Sequence, residues 1–393
     1  MAKPLGAFLE GRKMKLELIA TCAFGLEAVL KREIMNLGYE ILLSEDGKIT
    51  YAGDERAVAK SNLWLRTADR VHIKMGEFKA ETFDELFVGT EAIAWEEIIP
   101  RDGIFVVTGT SVKSKLHSVP ACQSIVKKAV ADRLCKHYGL EEMPETSGDY
   151  GIKVTMLKDR ATLTIDSSGK GLHKRGYREE AGEAPIKETL AAALVQLSFW
   201  KKGRILVDPC CGSGTIPIEA ALIGRNIAPG LSRSFASEEW PVIGEEAWKE
   251  ERKEAFQEID NEGELKILAS DIDSKVLEVA KKNAEEAGVM DDISFSRRDI
   301  QKLWLEEGNE IIITNPPYGE RIGEQKEIDR IYKSLNRLMK EDESRSFFVI
   351  TGDKSAEMKI GGKKADRRRK LYNGRIETCY YQFHGKKPEK AEK

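Results

Sequence analysis

From residue 186 onward, short apolar strands alternate with helices, and this alternation constrains the fold more than any other feature of the sequence. Neighbouring parallel strands need a long crossover, which is usually a helix, so the pattern predicts a parallel α/β sheet. Open sheets of this kind bind ligands where a strand turns into a helix. The predicted strands are 204–208, 266–271, 293–297, 310–314 and 346–351.

The first 167 residues mix short strands and helices without that alternation, which predicts one or two α+β modules. Residues 168–185 are rich in glycine and basic residues and are typical of an interdomain linker or a binding loop. An insertion at about 225–264 interrupts the α/β pattern. Its later part is strongly acidic and predicts a solvated helix.

The composition excludes several classes of protein. The formal net charge is −3, so any binding to nucleic acid must rely on local basic patches. No apolar run is long enough for a transmembrane helix, and the N-terminus lacks the apolar core of a signal peptide. The six cysteines form no C-x-x-C pair, so we expect no metal site, no disulfide framework and a reducing cytoplasm.

A glycine loop follows the first α/β strand, in D-P-C-C-G-S-G-T at 208–215. A P-loop would need G-K-[S/T], and a dinucleotide fingerprint would need a third glycine where Pro217 stands. The loop fits the D-x-x-x-G-x-G pattern of enzymes that use S-adenosylmethionine. There, Gly212 and Gly214 let the backbone approach the methionine part of the ligand, and Asp208 faces its ammonium group. A plain tight turn remains the alternative.

Acidic residues also follow the next two strands. Asp271 can accept hydrogen bonds from both hydroxyls of a ribose, as acids do at this place in dinucleotide-binding folds. Asp273 is then the cap of the following helix, although either aspartate can be the cap. Asp299 can accept from an adenine amino group, with a surface turn as its alternative.

The fourth strand runs into Asn315-Pro316-Pro317-Tyr318. Two prolines stiffen the backbone and fix the Asn315 side chain and the Pro316 carbonyl as acceptors. Such a pair suits an exocyclic amino group on a flat ring, and Tyr318 can stack on that base once it leaves its helix. A rigid turn at the end of a strand is the alternative.

Taken together, these motifs resemble the THUMP-containing class I RNA guanine-N2 methyltransferases. The resemblance covers about residues 14–385 and is greatest to the bacterial enzymes that act on large-subunit ribosomal RNA. Beyond the two motifs above, it rests on T-C-A-F-G-L-E at 21–27, S-G-K-G-L-H-K-R-G-Y-R at 168–178, A-P-I-K-E-T-L-A-A-A at 184–193 and N-I-A-P-G at 226–230.

The resemblance implies a fold and its parts. It implies α+β N-terminal ferredoxin-like and THUMP modules, followed by an α/β Rossmann-like class I methyltransferase domain. We predict the bounds as 14–62, 63–167, a linker at 168–185 and 186–385 for these parts in order.

It also implies a set of site residues. Asn315 to Tyr318 would form the catalytic pocket, and Asp208, Asp271 and Asp299 would bind the methionine part, ribose and adenine of S-adenosyl-L-methionine. The neighbouring Cys210 and Cys211 are interpreted as small packing residues rather than nucleophiles. The cofactor-binding set is completed by Cys210, Gly212, Gly214, Thr215, Ile272, Ile300, Lys187 and Thr189.

Three separated basic patches favour structured RNA as the partner, because phosphate contacts need local positive charge. The first is Lys113, Lys115 and His117; the second is Lys170, Lys174, Arg175 and Arg178; the third is Lys363, Lys364, Arg367, Arg368, Arg369 and Lys370.

We therefore expect methylation of a guanine N2 in 23S ribosomal RNA or in a large-subunit precursor. The alternatives are a transfer RNA guanine-N2 methyltransferase, a DNA adenine-N6 methyltransferase and a non-catalytic RNA-binding assembly factor. The sequence leaves the oligomeric state open.

Overall fold

The computed structural model describes residues 14–178, 186–306, 308–317, 324–374 and 376–386. These residues form two seven-stranded sheets with helices packed on them. The elements of the first half are β1 (Leu16–Thr21), α1 (Glu27–Asn36), β2 (Ile41–Glu45), β3 (Lys48–Gly53), α2 (Glu55–Trp64), β4 (Arg70–Lys79), α3 (Phe83–Glu91), β5 (Gly103–Val112), α4 (Val119–Tyr138), β6 (Ser147–Leu157) and β7 (Arg160–Asp166). The elements of the second half are α5 (Glu188–Leu197), β8 (Leu206–Asp208), α6 (Thr215–Gly224), α7 (Glu245–Gln257), β9 (Ile267–Asp271), α8 (Ser274–Glu286), β10 (Ile293–Arg297), β11 (Ile311–Thr314), α9 (Glu324–Glu341), β12 (Ser346–Thr351), α10 (Ala356–Gly361), β13 (Arg367–Asn373) and β14 (Ile376–Phe383).

The first sheet joins both N-terminal modules, in the order β2-β3-β1-β4-β7-β6-β5. Strand β4 is ten residues long and pairs antiparallel with β1 on one side and with β7 on the other. The predicted boundary after residue 62 falls inside α2, whose N-cap Asp54 accepts a hydrogen bond from the Ala57 amide. The two modules therefore share one sheet, and their exact boundary remains a prediction.

The second sheet has the order β10-β9-β8-β11-β12-β14-β13. All five predicted α/β strands are present as β8 to β12, and they are parallel. The chain moves outward from β8 to β10 and then returns to β11 on the other side of β8. A ligand site is expected at this reversal, outside the carboxyl ends of the strands.

The sheet ends in a hairpin that the sequence analysis missed. Strand β14 pairs antiparallel with β12, and β13 forms the edge. The Asn373-Gly374 dipeptide, with Gly374 at φ 62°, is a typical signal for a tight hairpin turn. The basic run of the third patch therefore lies largely on an edge strand.

The acidic insertion was predicted to be a solvated helix, and the structure differs. Helix α7 buries Trp248, Glu251 and Ala255, so it is not simply solvated. Its acidic face contacts α2, where Arg56 lies 2.7 Å from Glu251 and 2.9 Å from Glu254. The insertion therefore packs the α/β domain against the N-terminal sheet.

The glycine-rich segment after β7 contributes a buried charge to the same interface. The Arg175 guanidinium is 3.3 Å from the Glu219 carboxylate on α6, and both side chains are buried. It also donates to the Arg66 carbonyl at 2.5 Å and to the Leu172 carbonyl at 2.9 Å. No surface remains for a phosphate, so the assignment of Arg175 to RNA binding is wrong. Its role is to connect the domains.

We expect Arg175→Met to lower the free energy of unfolding by about 3–5 kcal/mol, because it leaves the Glu219 charge buried and unpaired. Lys174→Met is the matched control, since Lys174 is the exposed neighbour. Chemical denaturation of both variants measures the difference. Equal stability of the two variants would contradict the interdomain role.

Candidate active site

A cavity of about 690 Å³ opens at the reversal of the strand order. It is bordered by the ends of β8 and β9, by the residues after β11 and by the tip of the β13–β14 hairpin. Its lining contains most of the predicted site, namely Asp208, Cys210, Gly212, Thr215, Asp271, Ile272, Asp299, Ile300, Asn315, Pro316 and Pro317. The fold thus brings together segments that are up to about a hundred residues apart in sequence.

The loop between β8 and α6 depends on its two glycines. Gly212 has φ 54° and Gly214 has φ 82°, a region that side chains disfavour. A Cβ on Gly214 would lie 3.1 Å from the Ala280 Cβ on α8, so the glycine also permits close packing. Gly214 is the N-cap of α6 beneath the loop, while Gly212 lines the cavity.

Asp208 lies at the base of the cavity and is almost fully buried. Its Oδ1 accepts a hydrogen bond from the Cys210 amide at 3.2 Å. Burial nevertheless raises the pKa of Asp208 to about 7. Burial also raises the pKa of the Cys210 and Cys211 thiols, which keeps both thiols neutral and agrees with a packing role.

Asp271 connects this loop to the next strand. Its Oδ2 accepts from the Gly212 amide and its Oδ1 from the Asp273 amide, both at 3.0 Å. A carboxylate can accept about four hydrogen bonds, so capacity remains for a ligand. Asp273 is the cap of α8, with its Oδ1 2.8 Å from the Lys275 amide. Asp299 both lines the cavity and accepts from the Gln301 amide at 2.9 Å.

The Oδ1 atom of Asn315 indicates what kind of ligand the cavity can bind. Its Oδ1 is buried and has no hydrogen-bond partner among the described residues. A buried acceptor without a partner costs free energy, so it indicates a donor supplied by a ligand. Pro316 and Pro317 line the cavity beside it. Tyr318, the last residue of the predicted tetrapeptide, lies outside the described residues.

Two predicted cofactor residues are placed elsewhere. Thr189 is buried, and its hydroxyl lies 3.5 Å from Asp69 of the N-terminal module. Burial raises the pKa of Asp69, and the positive charge of Lys187 opposes this shift. Ile186, rather than these two residues, lines the cavity. Neither Lys187 nor Thr189 is among the described residues that line the cavity, and their assignment to the cofactor site remains a prediction.

The sequence analysis missed part of the cavity wall. The missed residues come from the glycine loop, from helices, from the segments before α5 and after β10 and from the hairpin tip. They are Ile186, Pro209, Cys211, Ser213, Ile216, Val276, Val279, Arg298, Gln301, Glu327, Arg330, Ile331, Asn373 and Ile376. The Asn-Gly turn was the available signal for the hairpin. The α9 residues carried no signal that distinguished them from an ordinary amphipathic helix.

The predicted RNA-binding residues divide into two groups. Lys113, Lys115, His117 and Lys174 are exposed, although Glu81 pairs with Lys115. Arg178 instead donates to the Thr215 hydroxyl at the start of α6 and lies 3.3 Å from Glu188. It is thus largely buried beside the cofactor loop, which argues against its assignment to RNA.

In the described ranges, no cluster of three His, Cys, Asp or Glu residues can hold a metal ion. Across the same ranges, no helix is long and apolar enough to span a membrane.

The order of the second sheet, the glycine loop after its first strand and the Asn-Pro-Pro segment after its fourth define a class I methyltransferase domain. Family models support this class along the chain. They match an RlmL ferredoxin-like domain over residues 17–72, a THUMP domain over 80–166 and an RMKL-like methyltransferase domain over 175–382. The chain belongs to this family of RMKL-like methyltransferases, and the predicted domain architecture is confirmed.

Individual relatives are similar to this protein over nearly the whole chain. The "Putative RNA methyltransferase YpsC" of Bacillus subtilis is 48% identical, covering 95% of this chain and 97% of that protein. A structure from Listeria monocytogenes, described as a "predicted N6-adenine-specific DNA methylase", is 46% identical with a TM-score of 0.91, covering 95% and 97% of the two chains. The structure of SMU.472, "a putative methyltransferase complexed with SAH", is 42% identical with a TM-score of 0.91, covering 96% and 100%.

The residues of the cavity fit S-adenosylmethionine, the cofactor of this family. Gly212 and Gly214 keep the loop free of side chains where a ligand must approach the backbone. The same cavity is lined by three carboxylates, those of Asp208, Asp271 and Asp299. They can accept hydrogen bonds from a ligand that carries an ammonium group, hydroxyls and an amino group. The cofactor prediction is confirmed by this family membership, and the role of each residue remains a prediction.

The pKa of Asp208 gives a pH test of its role. Below about pH 7 the carboxyl is protonated and loses its attraction for an ammonium group, so cofactor affinity should rise as the pH increases through 7. Calorimetric titration with S-adenosylmethionine across this range measures the effect. Asp208→Asn should bind weakly with a flatter pH profile, whereas Asp84→Asn, an exposed control on α3, should behave like the wild type. A wild-type affinity that is independent of pH would contradict the ammonium contact.

Proposed function

We propose that this protein transfers the methyl group of S-adenosylmethionine to the exocyclic N2 of a guanine in 23S ribosomal RNA. The observation that carries the proposal is the buried, unpartnered Oδ1 of Asn315 at the carboxyl edge of the sheet. An amino group of a flat base is the donor that matches an acceptor held in this way.

The chain's own residues would act mainly by positioning. The Asn315 side chain and the Pro316 carbonyl accept the two hydrogens of the amino group. This geometry favours a pyramidal nitrogen whose lone pair is available for attack. When bound, the cofactor supplies an electrophilic methyl group on its sulfonium sulfur. Two consecutive prolines restrict the backbone, so little ordering remains to be done when the base arrives.

RNA is favoured as the substrate by the N-terminal half of the chain. It contains a THUMP domain, a module of RNA-modifying proteins, and YpsC carries the words "RNA methyltransferase" in its name. The exposed residues Lys113 and Lys174 provide positive charge for phosphates, and Lys115 and His117 are exposed near Lys113 in the sequence. The target base must leave its stack to reach a buried acceptor, which favours an accessible loop in folded RNA.

Two rival substrates share the same chemistry. The description of the Listeria structure raises adenine N6 in DNA, since an Asn-Pro-Pro segment also suits that amino group. A transfer RNA guanine could be methylated by the same chemistry if the N-terminal modules bound transfer RNA instead of ribosomal RNA. The THUMP domain favours RNA over DNA, and the choice between the two RNA classes rests on the resemblance to the ribosomal RNA enzymes.

The test is methyl transfer from labelled S-adenosylmethionine to unmodified 23S ribosomal RNA, transfer RNA and DNA, followed by nucleoside analysis. We expect N2-methylguanosine in the 23S RNA alone. Label in transfer RNA would change the substrate but keep the chemistry. N6-methyladenine in DNA would overturn the proposal, and no label in any acceptor would favour a binding factor without catalysis.

Asn315→Ala tests the amino-group acceptor directly. We expect kcat to fall by about 10²–10³, the usual loss when one oriented hydrogen-bonding group is removed from a reacting centre. The dissociation constant for S-adenosylmethionine should be unchanged. Asn315→Asp keeps acceptor oxygens at the same place and should retain more activity than the alanine variant. Full turnover in Asn315→Ala would exclude the proposed role.

A further inference from the structure

A large aromatic side chain is exposed where the N-terminal module meets the β13–β14 hairpin. Phe24, in the loop between β1 and α1, is 57% exposed. Its ring meets that of Tyr372 edge to face, with centroids 6.4 Å apart. The two rings come from different domains, one from the ferredoxin-like module and one from the methyltransferase hairpin.

The hairpin places this pair at the rim of the cavity. Tyr372 directly precedes Asn373, and Asn373 pairs across the turn with Ile376. Both Asn373 and Ile376 line the cavity, and Ile376 is 48% exposed. Tyr372 therefore adjoins the cavity wall in sequence, while its side chain leaves the opposite face of the strand from that of Asn373.

The Phe24 loop is held rigidly against the hairpin. Gly25 has φ 90°, and a Cβ there would lie 2.7 Å from the Lys370 carbonyl oxygen. The Glu27 carboxylate accepts from the Gly25 and Gly47 amides, each at 2.9 Å. Because the loop is anchored from two sides, the exposed ring is fixed in position before any ligand arrives.

Unbalanced positive charge borders the same loop. Burial lowers the pKa of Arg369, and the positive charges of Arg367 on the same strand and of Arg32 on α1 lower it further. Within the described residues, none of the three forms an ion pair, and the Arg369 Nε is buried without a partner. By contrast, Arg368 pairs with Glu357, and Lys370 with Glu377.

We propose that Phe24, Tyr372, Arg32, Arg367 and Arg369 form an RNA-docking rim for the nucleotides that flank the target base. A flanking base stacks on the aromatic pair, and a neighbouring phosphate binds between the arginines. This inference rests on the proposed function, because the target base enters the adjacent cavity. The side chains of Arg367 and Arg369 leave one face of β13 and the side chain of Tyr372 leaves the other, so an RNA segment that contacts both parts passes around this edge strand.

The chemistry of the rim favours RNA over a peptide added to the edge strand. Consecutive arginines on an edge strand disfavour pairing with another strand. The same arginines beside exposed rings are the combination that binds single-stranded nucleic acid, by phosphate contacts and base stacking. A base removed from its stack also leaves its neighbours exposed, and an aromatic ring can replace the lost stacking partner.

The first test changes Phe24 alone. Because the flanking base loses its stacking partner, Phe24→Ala should raise the KM for unmodified 23S RNA roughly tenfold. The KM for S-adenosylmethionine and the melting temperature should be unchanged. Phe24→Leu keeps apolar bulk without a π-face and should behave like the alanine variant, whereas Phe24→Tyr should restore the wild-type KM.

A matched control excludes a general effect of removing an exposed phenylalanine. Phe256 on α7 is 62% exposed and lies outside the cavity lining. Phe256→Ala should leave the KM for RNA unchanged. An equal effect of Phe24→Ala and Phe256→Ala, or a Phe24→Leu variant as active as Phe24→Tyr, would overturn the stacking role.

The second test measures the phosphate contacts by salt dependence. Replacing Arg367 and Arg369 by Gln should reduce the slope of log Kd against log salt by about 0.7, the value for one phosphate contact on single-stranded RNA. Lys253→Gln, an exposed change on α7, serves as the control. A slope equal to that of the wild type would overturn the charge part of the rim.

These outcomes are separable from failure of the proposed function. Absence of wild-type methyl transfer to any RNA would overturn the proposed reaction. The binding constants and salt slopes need no turnover and still test the rim. Methylation of 23S RNA with unchanged RNA affinity in all the rim variants would leave the reaction standing and overturn the rim alone.

Discussion

The buried guanidinium of Arg175 holds the two halves of the molecule in one arrangement. It reaches the Arg66 carbonyl in the N-terminal module and the Glu219 carboxylate on α6 of the methyltransferase domain. The Tyr177 hydroxyl adds a third contact to Glu219, at 3.2 Å. A buried charge tolerates little displacement, because an unpaired charge in the interior is costly. The N-terminal loop that carries Phe24 is therefore positioned relative to a cavity formed by a different domain.

Within the methyltransferase domain, the backbone determines where chemistry can occur. Parallel strands end at one edge, and the order of the strands reverses between β8 and β11. Asp208 and Asn315 follow these two adjacent strands, although 107 residues separate them, as their numbers show. The strand order of the sheet thus brings the Asp208 carboxylate and the Asn315 amide to the same edge. The prolines after Asn315 then restrict the backbone that carries the side chain proposed to meet the reacting nitrogen.

The parts that were predicted correctly depend on local signals. Buried parallel strands are continuous apolar runs, so Ile311–Thr314 and its neighbours were evident from the sequence. The glycine loop and the Asn-Pro-Pro segment carry their backbone constraints in their own residues. Most of the predicted cavity residues therefore line the cavity. The hairpin β13–β14 was missed because a run of arginines and lysines on an edge strand has no apolar alternation to reveal it.

The errors concern charged residues whose partners are distant in sequence. Arg175 meets Glu219 across 44 positions, and Arg56 meets Glu251 across 195. Composition alone suggests that both are exposed, since charged side chains are seldom buried without a partner. The pairing also shows that a net charge of −3 does not describe the surface. Arg56 neutralises part of the acidic helix α7 at a domain interface, whereas Arg367 and Arg369 form no ion pair with the described residues. The distribution of paired and unpaired charges, rather than their sum, would decide where the proposed RNA substrate is attracted.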